Sequence, residues 1–587
     1  MGVSSSWLGP DKGGVSLGNG SMMGAGRAFR KCRQRNSACR RHRRLGYPAP
    51  MRLPSGLVPA CPLPACMVLA CLLLAPALPA AASDATLHRG NGPEPSTLDA
   101  HRCPEIACAN ILRDLYEGLV ADGPDGQPLP GLAREWGVSP DGLRWTFHLR
   151  EGLRWSNGEP LDAHQVVASF RRAFEPATAA PHAALFDPLR NASRVQAGEL
   201  PPEALGVSAA DSRTVVFELT RSAPLPSLLS LPVAFVVHLP GIAAHGSQHT
   251  RPGRLVSNGA YRLSAWTPQS HVELERNPYF REAAPIPRVR FHATEDAGSE
   301  LQRYLAGDLH ITETVPPQPI EGLRERFGEQ LRITPYLGSF WLGLNLTRPP
   351  FQDNPALREA LSLAIDRDIL TRHVTALGEV PAYALVPPGI AGYDGPSLPW
   401  ADLTQDQRES LARQRFAEAG HGGDRPLVIE LRYNTSTPHR RMALAVAAMW
   451  REVLGVRTRL RNEEWRVYVQ NRRQRAITQA FRGGWIADLD DPRNFLTLFA
   501  GDTALNWSGH LDPGYDALIA AADKAPNASV RATHLAAAEA RLLDAHAVIP
   551  LYFYTSKHLV RPEVQGWQDN ALDRHPSRFL RLVEGGE

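Results

Sequence analysis

Cysteine is scarce beyond the first 82 residues of this 587-residue chain. Five of the seven cysteines (Cys32, Cys39, Cys61, Cys66 and Cys71) come before that point, so only Cys103 and Cys108 remain. This isolated pair predicts a disulfide if the protein is exported to an oxidising compartment; the alternative is two separate buried thiols. No Cys-x-x-Cys string or paired histidine spacing predicts a metal site, and no cofactor is expected.

Apolar runs long enough to cross a membrane are also lacking. The run at residues 67–78, MVLACLLLAPAL, is too short to span a bilayer as a stable helix. Three alanines follow it at 80–82, which is typical of a signal-peptide cleavage site. We therefore expect a leader over residues 1–82 that is removed on export.

The start of that leader is ambiguous in the sequence. A signal peptide at about 51–82 that begins at Met51 gives a leader of ordinary length, and residues 1–50 then need not be translated. A lipoprotein site at Cys71 is disfavoured, because the apolar run continues past it. We expect a soluble periplasmic product that begins near Ser83.

The chain has little net charge of either sign. The formal charge is +4, but residues 1–82 hold 11 of the 64 Lys and Arg residues and 1 of the 60 Asp and Glu residues. The remainder therefore has 53 basic and 59 acidic residues and a net charge of −6. A mildly acidic body gives no support for nucleic-acid binding.

Two hydrolase signatures are missing from the part that is expected to fold. The Gly-x-Ser-x-Gly string lies at residues 14–18, inside the leader, where no nucleophile elbow can form, and there is no His-Glu-x-x-His. A secreted hydrolase is thus a distant alternative, and we expect no enzyme.

The chain is too long for one hydrophobic core, so two or three lobes are expected.

The most informative stretch is RGGWIADLDDP at residues 482–492. Its glycine pair, ending at Gly484, would let a ligand approach the backbone closely. Trp485 would form a wall of such a site, Asp488 would supply a negative charge for a cation, and Arg482 would balance the local charge. From residue types alone, the alternative is a strand followed by an acidic turn.

Periodicity predicts several elements that bear on this stretch. Helices are expected at residues 163–174, 354–370 and 440–454, the last with His439 as its cap. A strand is expected at 342–346 and another at 548–554.

Other segments occur in the order that is found in one protein family. They are WSNGEPL at 155–161 with the helix after it, NGAYRL at 258–263 and RNPYF at 276–280. Together with the run at 482–492, they resemble the oligopeptide-binding proteins of bacterial ABC importers, extracellular solute-binding protein family 5. The resemblance extends over residues 83–587 with nearly the same spacing throughout.

The resemblance implies roles for individual residues. In that family, the residue matching Asp488 pairs with the α-amino group of a bound peptide, and backbone near Ile106 helps line the ligand channel. His439 matches a histidine that approaches the peptide carboxylate, Trp465 matches a tryptophan of a side-chain pocket, and Tyr554 matches a tyrosine that faces the cleft.

Three positions depart from the family pattern. His182 stands where the family has a tyrosine that touches the peptide. The family joins the positions of Gly338 and Ile486 by a disulfide, which this chain cannot form. Thr375 replaces a lysine near the carboxylate end, so no peptide length is predicted.

The implied fold is α/β, a two-lobed periplasmic binding-protein fold of the cluster C type with an extra domain, in which the ligand is enclosed between the lobes. The predicted division has three parts: lobe I from residues 83–116, 237–337 and 556–587; extra domain II from residues 117–236; and lobe III from residues 338–555.

The implied function is that of a monomeric periplasmic receptor. It would capture short peptides by closure of its lobes and deliver them to an ABC-type permease complex in the inner membrane. The alternative keeps the fold but changes the solute to a murein peptide, a metal chelate, haem or an opine. Asp488 distinguishes these, because a free α-amino group needs a buried carboxylate, whereas haem or a metal chelate does not.

Overall fold

The computed structural model describes residues 85–423, 426–501 and 503–583. The expected leader, its cleavage site and the Gly-x-Ser-x-Gly string all lie outside these ranges. Within them, no helix is both long and apolar enough to cross a membrane.

The part of the chain before residue 330 forms mostly short elements. They are β1 (Thr86–Gly90), α1 (Ile106–Leu115), β2 (Val120–Asp122), β3 (Pro128–Pro130), β4 (Ala133–Val138), β5 (Arg144–Leu149), α2 (Ala163–Phe174), α3 (Ala192–Gln196), β6 (Val207–Asp211), β7 (Thr214–Glu218), α4 (Leu225–Leu229), α5 (Leu239–His245), β8 (Tyr261–Thr267), β9 (His271–Arg276), β10 (Arg288–His292), α6 (Ala297–Ala306) and α7 (Ile320–Phe327).

Longer elements follow. They are β11 (Leu331–Leu344), α8 (Pro355–Leu363), α9 (Arg367–Ile369), a π-helical turn (Leu370–Thr375), β12 (Val380–Pro381), α10 (Gln405–Glu418), β13 (Val428–Asn434), α11 (Thr437–Leu454), β14 (Arg457–Glu463), α12 (Trp465–Gln474), β15 (Ala480–Ile486), α13 (Arg493–Leu496), α14 (Pro513–Asp523), α15 (Ala528–Asp544), β16 (Val548–Leu559), β17 (Val564–Gln565) and β18 (Arg581–Leu582).

Local sequence explains where several of these elements start and stop. α2 begins after Asp162, whose side chain accepts a hydrogen bond from the Gln165 backbone N–H while the Gln165 side chain bonds back to Asp162. α6 ends at Gly307, whose φ of 90° is left-handed and suits glycine. In β9, Val272 and Leu274 are buried on one face, as alternation predicts.

Two four-stranded sheets organise the first part. β1 pairs parallel with β10 in a sheet of order β1-β10-β9-β8, and its core includes side chains from residues 560–580 at the end of the chain. The second sheet has the order β4-β5-β7-β6 and packs with α2 around a separate core that spans residues 119–236. Leu489 belongs to this second core although it lies far along the chain.

A buried histidine joins the N-terminal segment to α2. His101 is 1% exposed, and its Nε2 lies 3.0 Å from the Phe235 carbonyl oxygen, to which it donates. Its Nδ1 accepts from Arg172 at 2.8 Å, and Arg172 also forms two hydrogen bonds to Asp99. Burial, and secondly the Arg172 charge, lower the pKa of His101 to about 4.

The largest core surrounds a six-stranded sheet of order β12-β16-β11-β15-β13-β14, which we call the central sheet. β13 runs parallel to both β14 and β15, so these three strands end at the same edge. β11 and β16 run antiparallel to each other from Gly343 and Val548 at one end to Leu331 and Leu559 at the other.

β11 and β16 connect two cores. Leu342 and Ile549 lie in the core of the central sheet, whereas Leu331 and Leu559 lie in a small core with α6 and α7. β11 is therefore much longer than the predicted strand at 342–346, because its first half pairs with the far half of β16.

The prediction of one helix over residues 354–370 is wrong. α8 stops at Leu363, and a new helix begins after Asp366, which caps it. Arg367, the first residue of this new helix, is fully buried and donates to backbone carbonyls that include those of Ser362 and Pro550. The chain must turn here for the buried guanidinium to form these hydrogen bonds, and helical periodicity in the sequence does not reveal that turn.

Candidate functional site

The predicted site residues cluster where the parallel strands of the central sheet end. Asn434 ends β13, and His439 follows in the first turn of α11. β14 ends at Glu463, and Trp465 then begins α12. β15 carries the glycine pair and leads directly to Asp488. Ligands of α/β sheets bind outside the carboxyl ends of the strands, and this edge is such a place.

β15 has a free edge at its carboxyl end. β11 pairs with β15 along all seven residues, from Ala480 to Ile486, but β13 pairs with it only at Ala480 and Phe481. From Arg482 onward, no described strand lies on the side facing away from β11. The Arg482 carbonyl oxygen accepts from the Tyr468 hydroxyl, and the backbone groups that follow on that side are available to an added strand.

Arg482 is a buried cation beside this edge. It is 5% exposed, its Nε donates to Asn434 Oδ1 at 2.8 Å, and its guanidinium lies over the rings of Trp465 and Tyr468 at 5.4 and 5.6 Å. Among the described residues it has no carboxylate partner, and its buried Nη2 has no hydrogen bond. Burying a charged guanidinium costs free energy unless an anion pairs with it.

His439 lies beside Arg482, but it does not cap the helix. α11 starts two residues earlier at Thr437, with Ser436 at the cap position. The imidazole packs against Phe340, with ring centroids 5.7 Å apart, and its buried Nδ1 has no hydrogen-bond partner among the described residues. Burial, and secondly the Arg482 charge, lower the pKa of His439 to about 3, so the ring is neutral at pH 7.

The packed rings of Phe340, Tyr552 and Tyr554 lie next to His439, and we call them the aromatic wall. Phe340 stacks on Tyr552 with ring centroids 4.7 Å apart, and Tyr554 meets both rings edge-on. Burial raises the pKa of Tyr554 to about 12, so the phenol keeps its proton. These rings share a face with Gly484, since Phe340 lies directly opposite it in the sheet.

The glycine pair has a packing reason that the sequence did not reveal. A Cβ on Gly483 would overlap the indole of Trp341, which is 1% exposed. A Cβ on Gly484 would lie 3.0 Å from the hydroxyl of Tyr554. Gly483 therefore accommodates the core, and only Gly484 faces the aromatic wall.

Asp488 lies at a junction between parts of the chain. It is half-buried, and its carbonyl oxygen accepts from Arg574 Nη2 at 2.9 Å. The following residue, Leu489, packs into the core of residues 119–236. Asp490 then accepts from the Ala391 N–H at 3.2 Å and from the Gln127 side chain at 3.4 Å.

Arg482 and Gly484 lie at alternate positions of β15 and face one side of the sheet, whereas Trp485 faces the other; Asp488 lies beyond the strand, in a bend. The Trp485 indole N–H donates to Asn494 Oδ1 at 2.6 Å. The structure thus brings Arg482, Gly484, His439, Trp465 and Tyr554 together, while Trp485 is close in sequence but faces away from them.

Two predicted residues lie apart from this cluster. Ile106 begins α1 and is 49% exposed, while His182 is half-buried beside a turn of 3-10 helix at Ala183–Phe186. Within the described part of the chain, neither forms a hydrogen bond or ring contact with the β15 residues. Cys103 and Cys108 form a disulfide with Cα atoms 5.9 Å apart. Gly338 and Ile486, the positions of the family disulfide, are direct partners across β11 and β15.

Sequence reasoning missed the residues that hold the others in place. Asn434 orients Arg482, the Tyr468 hydroxyl donates to the Arg482 carbonyl, and Phe340 carries the aromatic wall. Asn434 was detectable as the polar residue that ends a buried strand. Tyr468 and Phe340 looked like ordinary core residues, and no local signal distinguishes them.

Comparison with known proteins identifies the fold. A family model described as bacterial extracellular solute-binding proteins, family 5 middle, matches residues 127–507. The periplasmic oligopeptide-binding protein OppA of Salmonella typhimurium is 36% identical over 494 residues, which covers 83% of this chain and 90% of that protein.

Two solved structures are also similar. The periplasmic murein tripeptide-binding protein MppA in its unliganded open form has a TM-score of 0.79 at 32% identity, covering 85% of this chain and 98% of that chain. OppA of Haemophilus influenzae in complex with RPPGFSPFR has a TM-score of 0.67 at 31% identity, covering 85% and 99%. These likenesses confirm the predicted α/β, two-lobed periplasmic binding-protein fold. The chain belongs to the bacterial extracellular solute-binding proteins of family 5.

Proposed function

We propose that the protein is a receptor that binds short peptides between two lobes and delivers them to an ABC-type permease complex in the inner membrane. The names of its relatives support this solute class: one is called an oligopeptide-binding protein and another a murein peptide-binding protein. The observation that carries the proposal is the free edge of β15 between Arg482 and Asp488.

A peptide backbone would extend the sheet at this edge. An extended peptide adds to an open strand through main-chain hydrogen bonds, which do not depend on its side chains. The backbone from Gly483 to Ile486 offers such groups on the side that β13 leaves uncovered, whereas the Arg482 carbonyl oxygen already accepts from Tyr468. Binding through the main chain explains how one site would accept peptides of many sequences.

The two charged residues would bind the peptide termini. Asp488 would pair with the α-amino group, and the uncompensated guanidinium of Arg482 would pair with a carboxylate, with His439 beside it. Six residues of extended chain separate the two, so their Cα atoms are at most about 20 Å apart. An extended peptide of a few residues fits within that span.

The peptide side chains would lie against flat apolar surfaces. Trp465 and Tyr554, which are partly exposed, offer rings that accept varied side chains without demanding a hydrogen bond from each. Phe340 and Tyr552 are buried and pack against Tyr554. His182 and Ile106, which lie outside this cluster, would reach the ligand only from the opposite side of the cleft.

Closure would bring those sides together. We divide the chain into lobe I (residues 83–116, 237–337 and 556–587), extra domain II (117–236) and lobe III (338–555), and the separate apolar cores support this division. β11 and β16 connect lobes I and III and would act as hinges. The higher TM-score against an unliganded open form than against a peptide complex supports an open starting state.

Export would place the receptor in the periplasm as a monomer, after removal of residues 1–82. We expect N-terminal sequencing of the exported form to begin near Ser83. A start at a lipid-modified Cys71 would instead mean that the protein is membrane-anchored.

The decisive experiment identifies the ligand directly. Exported protein is denatured, the released small molecules are analysed by mass spectrometry, and synthetic peptides of two to five residues are titrated into refolded protein by calorimetry. Mixed peptides and saturable binding are expected. A single non-peptide metabolite such as haem, an opine or a metal chelate, with no heat from any peptide, would refute the proposal.

A murein peptide is the second candidate, because the murein peptide-binding protein MppA of Escherichia coli is 32% identical over 498 residues. The same experiment separates the two: a single cell-wall peptide with D-residues would appear in place of a mixture. The Asp488 role would then persist only if that peptide has a free α-amino group.

A further inference from the structure

Three metal-ligating side chains meet next to the connecting strand β16. His558 Nε2 lies 2.7 Å from Asp573 Oδ1, and His575 Nε2 lies 3.1 Å from the same oxygen. One ligand atom from each residue lies within 4.8 Å of the other two. Asp573 and His575 are two residues apart, whereas His558 comes 15 residues before Asp573, so no ordinary metal-ligand spacing in the sequence indicates this cluster.

The surrounding contacts orient His558 as a metal ligand is normally oriented. Its Nδ1 lies 2.9 Å from the Thr312 carbonyl oxygen and donates to it, which directs Nε2 toward the carboxylate. Metal-bound histidines usually donate their other ring N–H to a carbonyl or a carboxylate in this way. Trp567 stacks on the His575 ring with centroids 3.7 Å apart and fixes its plane.

The backbone at Asp573 adopts a conformation that is uncommon for a residue with a side chain. Asp573 has a φ of 55°, in the left-handed region that is uncommon for residues other than glycine. Both rings converge on its Oδ1, and its side chain is 22% exposed while those of His558 and His575 are 7% and 6% exposed. Solvent thus reaches the cluster only along the carboxylate, which leaves one open side.

We propose that His558, Asp573 and His575 form a binding site for one divalent transition-metal ion of the zinc class, with water in a fourth position. Two imidazoles and one carboxylate are ligands that suit Zn²⁺, and three protein ligands with an open position are typical of a non-structural zinc site. The separations of 2.7 and 3.1 Å would widen slightly around a central ion.

Proton release would accompany binding. In the metal-free protein both ring nitrogens of His558 donate, Nδ1 to the Thr312 carbonyl oxygen and Nε2 to Asp573. His575 also donates from its Nε2 to Asp573. The ion takes the Nε2 lone pair of each ring, so the His558 Nε2 proton leaves to solvent, whereas neutral His575 moves its proton from Nε2 to Nδ1; one proton is released in total. No electron transfer is involved.

The ion would fix the C-terminal segment to a strand that connects two cores. His558 lies on β16, whereas Asp573 and His575 lie in the segment before β18. This segment also holds the chain next to Asp488, because Arg574 donates to its carbonyl oxygen. Metal binding would therefore stabilise the folded protein, and the two ligands Asp573 and His575 would flank the arginine that contacts the backbone of Asp488.

Metal titration of the full chain tests the site without any substitution. We expect Zn²⁺ to bind with a stoichiometry of one and to raise the Tm by about 2–4 °C at saturation. Calorimetry in two buffers of different ionisation enthalpy should show about one proton released per ion. Co²⁺ should give visible absorption bands of a four-coordinate site without the near-ultraviolet thiolate band that the leader cysteines would produce.

Variants locate the ion. Asp573→Asn and His575→Gln keep hydrogen-bonding groups in place, and each should lower Zn²⁺ affinity at least tenfold while far-ultraviolet circular dichroism is unchanged. The matched control is His271→Gln in the other histidine cluster, where His88 and His292 lie 2.9 Å apart, and it should leave the affinity unchanged.

Three results would overturn the proposal. Wild-type protein that binds no Zn²⁺ or Co²⁺ would show that the three residues form only a hydrogen-bonded cluster. Full affinity in Asp573→Asn, or loss of binding in His271→Gln alone, would place the ion elsewhere. None of these outcomes bears on peptide binding, which the ligand experiment tests separately.

Discussion

Replacing Asp488 by asparagine tests the peptide-binding role most directly. The substitution keeps the size of the side chain and leaves the backbone carbonyl that accepts from Arg574, and the melting temperature of the empty variant serves as the control for folding. A peptide α-amino group is cationic at pH 7, and closure would remove both charges from water. At about 4 Å and an effective dielectric constant of about 20, the two charges attract by about 4 kcal/mol.

The expected loss follows from that figure. Removing one partner of a desolvated pair typically costs about 3–5 kcal/mol, which is roughly a hundredfold to several thousandfold in affinity. We therefore expect Asp488→Asn to weaken binding of a tri- or tetrapeptide at least about a hundredfold. Asp368→Asn is the matched control, because Asp368 is in the same lobe and its side chain is 45% exposed in a surface ion pair.

The assay is calorimetry on four combinations: wild type or Asp488→Asn, with a free or an acetylated peptide. Acetylation removes the same charge from the ligand, so the two losses should not add. Full affinity for the acetylated peptide, or losses that simply sum, would show that Asp488 does not bind the amino terminus.

The remaining predictions concern other parts of the structure. Arg482→Met should lower affinity for free-acid peptides about tenfold or more and leave affinity for C-terminally amidated peptides nearly unchanged, measured by calorimetry; equal losses for both would contradict the carboxylate role. Gly483→Ala should lower the free energy of unfolding by about 1–3 kcal/mol, because its Cβ would overlap buried Trp341. Gly484→Ala should instead mainly weaken peptide binding. Urea unfolding measures the first effect and calorimetry the second, and equal losses of stability in the two variants would contradict this assignment. His101, with a folded pKa of about 4 against 6.5 when unfolded, should contribute about 3 kcal/mol of stability above pH 6.5 that is lost as the pH falls toward 4. Urea unfolding at pH 7.5 and 4.5 should show a smaller pH dependence in His101→Gln than in wild type, and an identical dependence would contradict the assignment.

Sequence periodicity located the elements that are governed by nearby residues. The helix at 163–174 was predicted with its observed ends, because the apolar spacing lies within it and the capping residue Asp162 directly precedes it. The helix predicted at 354–370 failed at Arg367, whose partners at Ala382 and Pro550 are remote in the chain. Local periodicity does not reveal the end of a helix when that end is caused by hydrogen bonds to residues so far away in the chain.

The glycine pair shows the same limit at the site. A pair of glycines beside an aspartate indicated close approach by a ligand, but Gly483 is required by Trp341 on the neighbouring strand. Which strand lies next to β15 depends on the order of the central sheet. The strand order depends on residues that are far apart in the chain, so the sequence of residues 482–492 contains no signal of it.

The sequence by itself determined the family, the α/β class and the segment that holds the charged residues, because these depend on motifs and on alternation along short stretches. Only the tertiary structure decided that Arg482 is buried without a carboxylate, that β13 leaves the end of β15 uncovered, and that His558 meets Asp573 and His575. Each of these features is a relation between residues that the folding of separate strands brings together. Burial and strand neighbours, which set the charge balance and the free hydrogen bonds of a site, exist only once the chain has folded.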